Sequence, residues 1–266
     1  MWQAPPAAAP YPQEWLPTLD LPAPGPQHRL TVLLRVLLLI PQFVVVWVLS
    51  VVAFLVTVVG WFAALVLGRL PGFAADYLSA YVPYETRVSC YLLLTHDRYP
   101  PFAFRTPGHP VRVELRPGEL NRLAVLFRLV LVIPAAVVQG LLFAGWWVVG
   151  WISWLVVLVL GRMPQPLFEA TAAVLRYRMR YLAYLLMLTS AYPKRLFGDE
   201  PGSEPGGPVS ATRPLVLGGP GRALLVAFLL LGLLSGASGS ITAEVTSDDD
   251  EVRQVTGPLL RAPRTG

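Results

Sequence analysis

Two charge-free apolar runs of equal length dominate the chain, Val36 to Leu67 and Leu129 to Leu160, 32 residues each. Both exceed the roughly 18–20 apolar residues that mark a membrane segment. A third run, Ala223 to Ile241, is shorter and is interrupted by serine and glycine. After each long run the pattern turns amphipathic, over 72–96 and again over 165–189. Asp76, Glu85 and Arg87 interrupt the first of these stretches, and Glu169, Arg176, Arg178 and Arg180 the second. A charge near the bilayer centre costs at least ~2.5–3.5 kcal/mol. Arginine beside Tyr177, Tyr181 and Tyr184 suits a helix in the membrane interface, so both stretches are expected to be interfacial helices. Pro83 is expected to kink or split the first. Val111 to Leu115 alternates apolar and charged residues, as a strand does.

The long runs belong to an internal repeat. Adding 93 to a residue number superimposes one half of the chain on the other without a gap. Arg29, Arg35, Pro41 and Trp61 fall on Arg122, Arg128, Pro134 and Trp154. Leu65-Val66-Leu67-Gly68-Arg69 falls on Leu158-Val159-Leu160-Gly161-Arg162, and Pro71 on Pro164. Tyr84, Arg87, Tyr91 and Tyr99-Pro100 fall on Tyr177, Arg180, Tyr184 and Tyr192-Pro193. Roughly 28 of 76 aligned positions are identical, and self-similarity at one fixed offset marks a duplicated structural unit. Gly-Arg-x-Pro closes each long run as a helix stop.

This pattern predicts an all-α integral membrane protein. Its duplicated unit is a long hydrophobic helix or hairpin followed by an interfacial amphipathic helix, with short extended lead-in segments and a C-terminal transmembrane helix. The expected divisions are a flexible Pro/Ala-rich tail at 1–28, repeat 1 at 29–104, a linker at 105–121 and repeat 2 at 122–198. A Gly/Pro-rich linker at 199–221, a transmembrane helix at 222–242 and a polar acidic tail at 243–266 complete the chain. In the first tail, Tyr11 and Trp15 are candidates for touching headgroups, and no basic start followed by an apolar leader core is visible.

Each 32-residue run is about 48 Å long as a helix, against a hydrocarbon core of about 30 Å. Two solutions fit: a single tilted crossing, or a hairpin that enters and leaves on one side. Charge favours the hairpin. Eight arginines from Arg69 to Arg128 lie between the runs, and Arg162 to Arg222 carry a second basic set. Single crossings would export one of these sets, against the positive-inside rule. Turn chemistry favours the crossing, because Ser50, Thr57 and Gly60 are the weak interruptions of the first run. Gln139-Gly140 offers a turn, but in the second run alone.

Composition agrees with a membrane protein. The chain has 266 residues, 55% hydrophobic and only 14% charged, against about 25% charged in soluble domains. The net charge of +5 flanks apolar runs, so it points to anionic headgroups and not to nucleic acid. Lys194 is the only lysine. With many Ala, Pro and Gly, this suits a high-GC bacterial coding sequence.

The unit Arg29, Arg35, Pro41, Trp61, Gly68-Arg69, Pro71, Tyr84, Arg87, followed by Tyr91-Leu92-Leu93-Leu94-Thr95, Asp97 and Tyr99-Pro100-Pro101-Phe102, resembles an uncharacterised bacterial membrane-domain family. That family is frequent in actinobacteria and known only as a domain of unknown function. The second copy departs at its end, with Ser190 in place of Asp97 and Lys194-Arg195 in place of Pro101-Phe102. The resemblance covers about 18–198. It implies a multi-pass protein of the bacterial plasma membrane, often with tandem copies, and brings no activity.

Little else in the sequence suggests chemistry. His28, His96 and His109 lack metal-ligand spacing. His96-Asp97 reads as a polar cap, since Thr189-Ser190 replaces it in the other copy. Cys90 reads as a small buried hydrophobe. No phosphate-binding or hydrolase motif is present. The chain is therefore expected to be non-enzymatic and to need no cofactor or metal. The candidate sites are the repeated arginines Arg35, Arg69, Arg87, Arg128, Arg162 and Arg180, as contacts to anionic lipid headgroups. Asp76 and Glu169 are expected to pair with Arg87 and Arg180 and orient the interfacial helices. Gly232 and Gly236 form a small-xxx-small face suited to homo- or hetero-oligomer packing. The expected function is a scaffold or accessory subunit at the cell envelope. The alternatives are a small two-repeat transporter or channel, and a membrane enzyme acting on headgroups.

Overall fold

The protein's structure, a computed structural model, describes residues 15–117, 120, 122–199 and 210–236. Strand β1 (Thr18–Asp20) precedes helices α1 (Arg29–Leu67) and α2 (Gly72–Leu92). Strand β2 (Arg112–Glu114) leads into α3 (Arg122–Leu160) and α4 (Gln165–Leu185). Helix α5 (Gly219–Gly236) follows. The all-α class with short extended lead-ins holds. Helices α1, α3 and α5 are each long and apolar enough to cross a membrane.

The hairpin alternative fails. α1 and α3 are continuous over 39 residues each, about 58 Å. Each helix continues through its proline, Pro41 or Pro134, and ends only where glycine permits a left-handed cap. Gly68 (φ 71°) donates its N–H to the Ala64 carbonyl, and Gly161 (φ 68°) to Val157.

The copies are arranged around a pseudo-two-fold axis, with α1 and α3 antiparallel. Their ends are tied by two bonds at equivalent positions. Gln27 N–H donates to the Gly161 carbonyl (2.7 Å), and Leu120 N–H to the Gly68 carbonyl (3.2 Å). The indole of Trp154 donates to Val32 (2.8 Å), and that of Trp61 to Val125 (3.2 Å). β1 and β2 pair antiparallel, Leu19 opposite Val113, so the ribbon also straddles the axis.

The amphipathic stretches form α2 and α4, which pack on the long helices of their own copies. α2 folds back antiparallel along α1. Tyr77 donates to the Leu49 carbonyl (2.9 Å), Tyr84 to Gln42 Oε1 (2.5 Å), and Arg35 to the Tyr91 carbonyl (2.8 Å). α4 follows α3 in the same way. Glu85 and Arg87 of α2 and Arg176 and Arg180 of α4 are buried against protein, and α2 runs unbroken through Pro83. Three layers result. The outer one is α1 and α3 with α5, the middle one α2 and α4, and the third the β-ribbon with its flanking loops.

The layers differ sharply in surface. α1 buries a narrow stripe and exposes large apolar residues over the rest of its circumference, including Trp47 and Val66. α3 does the same, with Trp151 76% exposed. The third layer presents Arg112, Glu114 and Arg116. There the Arg213 guanidinium grips Glu114 at 2.9 and 3.0 Å, which holds the Glu114 carboxyl below the usual range.

One further expectation changes. Residues 15–28 are not a flexible tail: Leu19 and Leu21 are buried, and the Trp15 ring lies 4.8 Å beneath the Arg116 guanidinium. Residues 1–14, with Tyr11, and the acidic tail lie outside the described residues. Gly232 packs against α3 of the same chain. A Cβ there would sit 2.0 Å from the Leu141 carbonyl oxygen, and one on Gly145 1.7 Å from that of Phe228. Glycine thus lets the α3 and α5 backbones touch. Gly236 meets nothing within 4 Å.

Candidate functional site: two grooves built around buried arginines

Between α1 and α3 lie two apolar grooves, one on each side of the axis, related by the repeat. One, of about 440 Å³, is lined by Ala53, Thr57, Trp61, Arg128, Leu129 and Met187 among others. The other, of about 290 Å³, is lined by the equivalent Trp146, Gly150, Trp154, Arg35, Val36 and Leu94. The same offset of 93 relates every pair. The second groove is smaller because Trp146 stands where the first has Ala53.

Each groove holds one buried guanidinium, 1% exposed at Arg35 and 4% at Arg128. The backbone around the two is alike. Arg35 Nη1 donates to the Tyr91 carbonyl and Arg128 Nη1 to the Tyr184 carbonyl, both at 2.8 Å. Each guanidinium also lies 4.4 Å from the ring of that tyrosine. Leu94 and Met187 hold equivalent positive φ angles of 63° and 60° just past α2 and α4. Such angles are disfavoured for branched or long side chains, and here the tight turn brings the following loops onto the arginines.

Charge separates the grooves. Arg35 Nη2 donates to Asp97 Oδ1 (3.1 Å) and Gln27 Oε1 (2.9 Å). Asp97 is itself held by the Thr31 hydroxyl (2.6 Å) and His28 N–H (3.0 Å). Arg128 Nη2 donates instead to the Thr189 carbonyl (2.9 Å), and Ser190, exposed, stands in the place of Asp97. No carboxylate contacts Arg128 among the described residues. Nε of each arginine is buried without a partner. A buried cation without a counter-charge is costly unless something neutralises it.

The other candidates divide. Arg69 and Arg162 are exposed at the α1 and α3 termini. Arg87 and Arg180 are buried under loops and do not reach the surface. Arg87 donates to the Ala103 (2.8 Å) and Phe104 (3.1 Å) carbonyls. Arg180 donates to Pro17 (3.0 Å) and Lys194 (2.9 Å), and burial with Arg176 nearby pulls its pKa down to about 9. The expected pairs Arg87–Asp76 and Arg180–Glu169 do not form. Eleven residues of helix, about 16 Å, separate each acid from its arginine. Glu169 caps the start of α5 by accepting the Gly218 N–H (2.8 Å), and Asp76 is exposed.

The acid that matters was missed. Glu85 on α2 accepts from Arg178 on α4 at 2.6 and 3.0 Å. The two are 93 apart, so they occupy one repeat position, where the helices cross on the axis. Opposite charges at one repeat position are a signal present in the sequence. His96 is buried with both ring nitrogens unpartnered, and burial pulls its pKa down to about 3. Burial pushes the Cys90 thiol up, which suits an inert core residue.

A sheath of exposed apolar side chains over helices of membrane-crossing length defines a membrane protein built from two copies of one unit. The chain belongs to the family described as Domain of unknown function (DUF4389), which matches it twice, at residues 29–103 and 122–196. No curated protein and no solved structure matches it.

Proposed function

We propose that this protein is a non-enzymatic, lipid-contacting scaffold of the bacterial plasma membrane, with α1 and α3 lying along one leaflet instead of crossing it. The position of the charged β-ribbon carries this reading. It sits on the axis, over the α2–α4 crossing at Glu85 and Arg178 and thus at the mid-length of the long helices. A crossing bundle would hold Arg112, Glu114 and Arg116 and a two-stranded edge at the bilayer centre, exposed to lipid. Open sheet edges do not occur there, and the charges would cost several kcal/mol. With the axis along the membrane normal, the outer layer meets hydrocarbon and the ribbon meets water. Both basic sets then lie on one side, which meets the positive-inside rule without a hairpin.

In this orientation the two grooves open toward lipid, and Arg128 favours an anionic headgroup over a zwitterionic one. The lipid-stripped protein in detergent should gain more thermal stability from phosphatidylglycerol than from phosphatidylcholine. Ser190→Asp, which supplies the missing counter-charge, should remove the difference. Equal stabilisation of the wild-type protein by both lipids would contradict the reading. The antiparallel copies support a second reading, a transporter, because inverted repeats are a transporter design. Release of trapped solute from sealed vesicles carrying the protein would favour it.

A further inference from the structure

Loop 95–111 follows α2, folds back over it and carries two buried histidines, His96 and His109. Their rings meet edge to face, with centroids 5.6 Å apart. The His96 ring also lies 6.1 Å from that of Tyr91 on α2. Histidine is the side chain whose ordinary change of charge falls between about pH 5 and 8. A buried pair in contact therefore ties the placement of the loop to proton uptake.

The surroundings of the pair suit neutral rings and oppose charged ones. Neither ring nitrogen of His96 makes a hydrogen bond. His109 Nδ1 accepts the Val111 N–H at 3.2 Å, so the neutral ring carries its proton on Nε2. A second proton has to enter at Nδ1 and break that bond. The charged groups facing the two rings are Arg35 from α1, Arg87 from α2 and Arg98 within the loop, and the acid among them is Asp97. Asp97 is already held by Arg35, Thr31 and the His28 N–H. Burial, with His109 and Arg35 nearby, pulls the His96 pKa down to about 3, and burial holds His109 below its ordinary range.

Few bonds fasten the loop. Thr95 donates to the Cys90 carbonyl from its N–H (3.2 Å) and its hydroxyl (2.9 Å). Arg87 binds the Ala103 and Phe104 carbonyls, and Arg98 the Gly108 carbonyl (3.1 Å). Copy 2 builds the same turn without a histidine. Leu188 N–H donates to the Ala183 carbonyl (2.9 Å), as Thr95 does to Cys90, and Thr189 stands in the place of His96. The backbone plan does not require His96.

We propose that loop 95–111 is an acid-released latch, which protons taken up by His96 and His109 drive off α2, uncovering Arg87 and Cys90. Protonation of the closed loop puts two like charges in contact, sets both against guanidinium groups and adds buried N–H groups without acceptors. In the open loop both rings charge in the ordinary histidine range. The latch is therefore closed above about pH 6.5, and its opening equilibrium grows as the pH falls, by up to about tenfold per unit for each histidine. Asp97 lies within the loop, so opening also takes the counter-charge from the Arg35 groove. That consequence bears on the proposed lipid contacts, and the latch itself does not depend on them.

Cys90, the single thiol and fully buried, reports the opening in the unaltered protein. The full chain in neutral detergent is treated with a pyridyl disulfide that reacts at acid pH. Its labelling rate at each pH is divided by that of the denatured chain. From about pH 7 to about pH 5 the ratio should rise at least tenfold. His96→Phe, with a ring that takes no proton, should cut that rise at least fivefold, and His96→Phe with His109→Gln should reduce it to less than twofold. Ala183→Cys in a Cys90→Ser background places the thiol at the equivalent buried site of copy 2, and there the ratio should change less than twofold. A flat response of the unaltered protein overturns the proposal. So does an undiminished rise in the double variant, or an equal rise at Ala183→Cys, which would mean that acid loosens the whole molecule.

Discussion

The two copies of the repeat share a backbone plan and differ in how they handle buried charge. In copy 1, Arg35 is neutralised by Asp97, and Arg87 is held by the loop carbonyls of Ala103 and Phe104. In copy 2, Arg128 has no acid beside it, and the space around Arg180 is filled by the N-terminal segment. The arginines recur at equivalent positions, and what neutralises them differs between the copies. Gly145 and Val52 show the same contrast in packing. They are equivalent positions, and only the glycine admits the backbone of α5. The two-fold frame thus carries two grooves of like shape and unlike charge.

The sharpest way to break this comparison is at the axis, where the copies must meet themselves. In a symmetric ancestor the residue at 85 and 178 would face its own copy. Here it is Glu on one side and Arg on the other, with 5% and 27% of the side chains exposed. Glu85→Ala leaves Arg178 without its partner in a mostly buried site. It should cost about 3 kcal/mol, read by chemical unfolding in detergent. The exchange Glu85→Arg with Arg178→Glu should recover most of that loss. A double variant as unstable as the single one would show that the crossing is not organised by this pair.

A smaller effect comes from interchanging the groove charges. Asp97→Asn turns the Arg35 groove into a copy of the Arg128 groove, and should cost about 1–2 kcal/mol, since the guanidinium keeps its carbonyl and Gln27 partners. Ser190→Asp should stabilise the lipid-free protein by less than about 1 kcal/mol, because Ser190 is exposed and the new pair would be screened. Opposite signs for the two variants sharpen the comparison. Destabilisation by both would mean that Ser190 cannot reach Arg128.

Much of this was legible in the sequence. The repeat, the two long apolar helices, their glycine stops and the β2 strand follow from periodicity, composition and offset. The burial of Arg35, Arg87, Arg128 and Arg180 does not, because an arginine beside an apolar run reads as a membrane anchor until the loop carbonyls that bind it are known. Those carbonyls belong to residues such as Ala103, Thr189 and Pro17, which nothing in the local pattern singles out. The sequence left hairpin and continuous helix open, and the unbroken α1 and α3 exclude the hairpin. Charge and turn chemistry gave opposite answers because both were read against a helix perpendicular to the membrane. A long helix lying along the surface satisfies both. The proposed orientation draws on α2 and α4, which fold back and place the polar ribbon over the centre of α1 and α3. Glu85 and Arg178 were readable in principle, as opposite charges at one repeat position.

The central claim is this orientation, and labelling of the ends of α1 tests it directly. In a Cys90→Ser background, single cysteines at exposed Ala23, before α1, at exposed Arg69, after it, and at exposed Arg112 in the ribbon would be treated with a membrane-impermeant maleimide in intact and in broken cells. The account predicts that all three behave alike, protected in intact cells and labelled in broken ones. Labelling of Ala23→Cys and Arg69→Cys from opposite sides of the membrane would show that α1 crosses, and would contradict it.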